Sequence, residues 1–120
     1  MSKFSSQSAT KFLNLTEVSQ FDTIKTESSE EPVFLIKHST SCGISHAALD
    51  QVEQFISANP DVKFYYLDLL AYRPVSNAAA DAFGVPHQSP QVIVVKGGET
   101  VKHTSHYAID VDWLSKALES

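Results

Sequence analysis

Val33–Ser45, VFLIKHSTSCGIS, is the stretch on which the reading of this chain turns. Its first four residues, Val33–Ile36, are all apolar, the pattern of a central strand covered on both faces. Lys37 and His38 end that strand. Ser39-Thr40-Ser41-Cys42 follows as a run of small polar residues with one thiol. A helical period then takes over, with Ile44, Ala48, Val52, Phe55 and Ile56 on one face. A buried strand is thus followed within a few residues by a helix that begins at Cys42.

Working outward, the same physical cues recur. Asn59-Pro60 stops the helix, and Val62–Leu67 (VKFYYL) has the aromatic and β-branched content of a strand. Arg73-Pro74 opens another helix with Pro in its first turn, and Gly84 suits the left-handed position after its last residue. Gln91–Val95 reads as a strand. Gly97-Gly98 reads as a two-residue hairpin loop, with Glu99–Thr104 returning antiparallel. Asp110 or a neighbour caps a last helix over 111–119. Upstream, Lys11–Leu15 alternates like a short strand. Val18, Phe21 and Ile24 predict a helix over 17–27 with Thr16 as its cap.

The resulting order is β-α-β-α-β-α-β-β-α. The central βαβ requires a parallel pair joined by a right-handed crossover. The terminal hairpin makes the sheet mixed. This is the order of the thioredoxin fold, an α/β fold in which helices flank a central mixed sheet of four to five strands. We read residues 1–120 as one such domain, with 1–10 (MSKFSSQSAT) flexible.

The chain has 120 residues and one cysteine. One cysteine excludes an internal disulfide, a Cys-x-x-Cys redox pair and an all-cysteine metal cage within the chain. The net charge of −5 excludes the cationic excess that nucleic acid or an anionic membrane would demand. The N-terminal residues lack the apolar core of a signal peptide, so the expected compartment is the cytoplasm.

Cys42 is the candidate nucleophile. The start of a helix presents unpaired N–H groups and the positive end of the macrodipole, and both favour a thiolate. Ser45, one turn on, is placed to donate a hydrogen bond to the sulfur. Gly43 leaves the sulfur little shielded. The alternative is an inert, incidental thiol. Ser89-Pro90 is either an ordinary strand entry or a cis pair facing Cys42, where the Ser89 backbone would bind an extended substrate. Candidate substrate contacts are therefore Ser41, Gly43, Ile44, Gln88, Ser89, Pro90 and His106.

The other histidines carry weaker signals. Lys37 and His38 are expected to be solvated strand-end residues, with a place beside Cys42 as the alternative. His46 has helical ligand spacing from Cys42, but two ligands do not make a zinc site, and no metal is expected. His103 and His106 lie in and after the last strand, and His87 flanks the Ser89-Pro90 segment. Tyr65, Tyr66 and Trp113 are core or half-core aromatics.

Phe34–Ser45 taken with Gly84–Gly98 (GVPHQSPQVIVVKGG) resembles the bacillithiol-system thioredoxin-like proteins, the monothiol bacilliredoxins of the YtxJ-like type. The resemblance spans residues 12–118. It rests on Lys37-His38-Ser39, on Ser41-Cys42-Gly43-Ile44-Ser45 and on Ser89-Pro90-Gln91. The family motif has Thr where this chain has Ser41, and Pro where it has Gly43. The resemblance implies a cytosolic enzyme that removes bacillithiol from protein mixed disulfides. Its partners would be bacillithiolated client proteins and a low-molecular-weight thiol co-substrate. A monomer is expected over a homodimer. Cys42-Gly43-Ile44-Ser45 is also similar to the Cys-Gly-Phe-Ser of monothiol glutaredoxins, some of which carry iron–sulfur clusters. A cluster carrier and a non-catalytic interaction module are the competing readings.

Overall fold

The computed structural model describes residues 12–119. The elements are β1 (Leu13–Asn14), α1 (Gln20–Glu27), β2 (Val33–His38), α2 (Gly43–Ala58), β3 (Lys63–Asp68), α3 (Arg73–Phe83), β4 (Gln91–Lys96), β5 (Glu99–Ser105) and α4 (Val111–Leu118). A single 3-10 turn, His106–Ala108, precedes α4. The Ser-rich 1–10 segment and the Lys11 end of the first expected strand lie outside the described residues.

Successive strand residues point to opposite faces, and β2 shows what this does. Val33 and Leu35 enter a core built with α1 and α3, including Phe21, Ile24, Val75 and Phe83. Phe34 and Ile36 enter a second core built with α2 and α4, including Val52, Phe55, Leu114 and Ala117. The sheet order is β1-β3-β2-β4-β5, so β2 has a strand on each side and helices above and below. β3 runs parallel to both β1 and β2, whereas β4 runs antiparallel to β2 and to β5. This is the expected mixed sheet, with five strands.

Turn chemistry fixes the element ends. Gly84 takes φ 66° after α3, in the left-handed region that costs other residues a steric penalty. Asp110 accepts the Trp113 N–H at 2.8 Å and caps α4.

Two expectations are corrected. The first helix begins at Gln20 rather than at 17, and Thr16 is not its cap. Leu15 N–H is still in the sheet, donating to Tyr66 O at 2.8 Å. The Thr16 and Glu17 N–H groups are both taken by Gln20 Oε1. The chain therefore turns through 17–19 before the helix starts, and Val18 is left exposed. The second correction concerns Lys37 and His38. β2 continues two residues past its apolar run, and neither residue is solvated: Lys37 is 0% exposed and His38 1%. A central strand buries whatever side chains it carries to its end.

Candidate active site

Cys42 is the residue before the first turn of α2, with extended backbone angles (φ −114°, ψ 125°). The turn leading to it is closed by Cys42 N–H donating to Ser39 O at 3.2 Å. Its thiol is free and half-buried. The thiol pKa is lowered, chiefly by the backbone N–H of Ser45 and then that of Ile44, with the Ser45 hydroxyl adding to them and partial burial opposing. These are the unpaired donors of a helix start, turned on a sulfur atom.

Ser45 is fully buried. Its Oγ accepts the Ser39 N–H at 3.3 Å, which ties the strand end to the helix start. Ser41 is exposed and its Oγ lies 3.3 Å from Ser39 Oγ. Beside Gly43 there is open space, since a β-carbon there would meet nothing within 4 Å.

Ile44 and His106 line one cleft of about 310 Å³, whose floor includes Ala48 and Ile109. Gln88 and His106 line a second, of about 360 Å³, together with Gln91 and His103. His106 has φ 57° and its N–H donates to Pro90 O at 3.0 Å. The Ser89-Pro90 bond is cis, Ser89 is half-buried and Pro90 is buried. His106 is thus the residue that connects the Pro90 segment to the cleft reaching Ile44.

Behind this surface lie His38 and Lys37, both withdrawn from solvent. The His38 ring packs edge-on against His46 (5.2 Å between centroids) and tilted against Tyr66 (5.6 Å). Its pKa is lowered, first by burial and then by His46, so the imidazole is neutral. His46 donates from Nε2 to Thr40 O at 2.9 Å. Among the described residues no group of three His, Cys, Asp or Glu side chains is arranged to hold a metal.

Lys37 points to the other face, where its Nζ lies 3.2 Å from His87 Nδ1. Burial brings its pKa down to about 8. Gln91, its register partner on β4, is also buried and donates from Nε2 to Pro86 O at 3.0 Å. The sequence signal that points to Lys37 and His38 is weak. It is only that they follow a fully apolar run without a turn residue between.

Residues 13–114 match the family model described as "Monothiol bacilliredoxin BrxC". A solved structure of a candidate oxidoreductase with a thioredoxin fold is 34% identical, with a TM-score of 0.80 over 88% of this chain and 91% of that one. Mitochondrial thioredoxin 3 from Saccharomyces cerevisiae, in its oxidised form, is 18% identical with a TM-score of 0.72, covering 93% and 97% of the two chains. Thioredoxin from Trypanosoma brucei brucei gives 18% and 0.72 over 90% and 88%. These last two show the fold. Fold and family together define a thiol–disulfide oxidoreductase on a thioredoxin scaffold. The chain belongs to the monothiol bacilliredoxin family. That family implies a low-molecular-weight thiol as co-substrate and bacillithiol-modified proteins as clients.

Proposed function

We propose that this chain removes bacillithiol from protein mixed disulfides in the cytoplasm, with Cys42 as the nucleophile. The observation that carries the reading is the half-exposed Cys42 thiol, whose pKa is lowered by the N–H groups of its own helix start. Only a thiolate attacks a disulfide at a useful rate.

In the first step the Cys42 thiolate attacks the bacillithiol sulfur of a client mixed disulfide. The new bond joins Cys42 to bacillithiol, the old disulfide breaks, and the client leaves as a thiolate that takes up a proton. Ser45 has no sulfur and cannot resolve the adduct. In the second step a low-molecular-weight thiolate attacks the bacillithiol sulfur of that adduct. It leaves as a mixed disulfide with bacillithiol, and Cys42 returns as a thiolate. The electron pair therefore comes from the external thiol in every cycle.

Ser45 holds the thiolate through its hydroxyl. Ser41, Gly43 and Ile44, its neighbours along the chain, are the substrate contacts of this reading, with open space beside Gly43. On this reading Gln88, Ser89, Pro90 and His106 receive the client chain and the thiol co-substrate, supported by the cleft that Gln88 and His106 share and by the His106 N–H bond to Pro90 O. No helix among the described residues is long and apolar enough to cross a membrane.

The test is reduction of a bacillithiolated client in the presence of free bacillithiol. Wild-type protein should release the client thiol, and mass spectrometry should find bacillithiol on Cys42 when the free thiol is withheld. Cys42→Ala should fall to the uncatalysed rate. Undiminished turnover by Cys42→Ala, or no turnover by wild type, overturns the reading.

A further inference from the structure

The loop 86–90 between α3 and β4 is tied down at three points, two on the sheet and one on the 3-10 turn after β5. Gln91 Nε2 donates to Pro86 O at 3.0 Å. Lys37 Nζ meets His87 Nδ1 at 3.2 Å. His106 N–H donates to Pro90 O at 3.0 Å. Two of the three come from side chains that are almost wholly withdrawn from water, Lys37 at 0% and Gln91 at 1% exposure.

Burying an amine is costly, and an apolar side chain of similar length would serve the core as well or better. The partner of this amine, His87, is exposed on the loop and contributes nothing to the core. With its pKa at about 8, the Lys37 amine is an ammonium at neutral pH and has only donors to offer. His87 must then accept at Nδ1 and carry its proton on Nε2. Its own pKa is lowered by burial and by the charges of Lys37 and Arg73, which keeps that ring neutral.

We propose that Lys37 is a positioning residue of the active site: through His87, and with Gln91 holding Pro86, it clamps the 86–90 loop so that the Ser89 backbone stands ready for substrate. The clamp deepens the proposed function and rests on it for the identity of the substrate. Lys37 acts on the loop and not on the Cys42 thiol.

The experiment compares wild type with Lys37→Met, His87→Ala and His87→Asn. Asn offers an oxygen acceptor near the place of Nδ1. In wild type, nitrogen NMR of the His87 ring should show the Nε2–H tautomer, and Lys37→Met should give a mixture. Amide exchange at Gln88 and Ser89 should accelerate in Lys37→Met and His87→Ala, with α2 unchanged. KM for the bacillithiolated client should rise on the order of tenfold in both, with kcat and the Cys42 alkylation rate unaltered. His87→Asn should restore most of the affinity.

An unchanged ring tautomer and unchanged loop exchange in Lys37→Met overturn the clamp. So does a loss of stability with KM unchanged, which is the mark of a structural role alone, and so does a shift of the alkylation profile. Should Lys37→Met fail to fold, the exposed His87→Ala carries the same exchange and KM tests. Absence of turnover in wild type sinks the proposed function by itself, and the ring and exchange readouts still decide the clamp.

Discussion

Ser45 does two things with one hydroxyl. Its oxygen accepts the Ser39 N–H at 3.3 Å, and the hydroxyl helps lower the Cys42 thiol pKa. Replacing it by Ala removes both. The Ser39 N–H, in a buried turn, is then left without its partner, which costs about 1 kcal/mol of stability. The thiolate loses one of its three donors, so the thiol pKa moves up toward that of an ordinary cysteine. Iodoacetamide alkylation followed against pH reads this directly. Wild type should show a midpoint below the ordinary thiol value of about 8.5, and Ser45→Ala should show a higher midpoint than wild type. A coincident pair of profiles would mean that the backbone N–H groups of Ser45 and Ile44 hold the thiolate alone.

At the scale of elements, α4 is the one to perturb. It has eight residues, too few to be stable as an isolated helix. It holds because Leu114 and Ala117 bury against the α2 side of the sheet and because its start is capped. Asp110 takes the Trp113 N–H, and Gln51 of α2 takes the Val111 N–H at 3.1 Å. Asp110→Ala should cost about 1 kcal/mol in urea denaturation. Because Asp110 also borders the cleft shared by Ile44 and His106, amide exchange in 106–110 should rise in the same variant. The cap was legible to within a residue, at Asp110 or a neighbour, because an N-cap is a local bond, three residues long. The start of α1 was not, because it depends on β3: Leu15 is held by Tyr66, far along the chain.

For the whole molecule, β2 is the structural axis, and Phe34 is its most consequential side chain. The ring is fully buried between Phe64, stacked at 5.2 Å, and Phe55, tilted at 5.3 Å. It joins the central strand to its parallel neighbour and to α2, the helix that presents Cys42. Phe34→Ala should cost about 3–5 kcal/mol, a large part of the stability of a domain of this size. Urea unfolding should show the loss as a lower midpoint with an unchanged slope. The residues that follow on the same strand, Lys37 and His38, extend the axis into the site, one toward the 86–90 loop and one toward α2.

What the amino-acid sequence determined by itself was everything carried by short-range pattern. Strand alternation, helical period, the Gly84 stop, the Asp110 cap and the lone cysteine at a helix start all act within a few residues. Together they specify the order of elements, the thioredoxin fold and a site that can hold only one thiol. The tertiary structure alone decided which polar groups are withdrawn from water and what they hold. Lys37 and His38 look like ordinary strand-end residues until β3, β4 and the helices close around β2. Lys37 and His87 stand fifty positions apart, and only sheet order brings them together. Burial and long-range hydrogen bonding are properties of the packed whole, so no local pattern announces them.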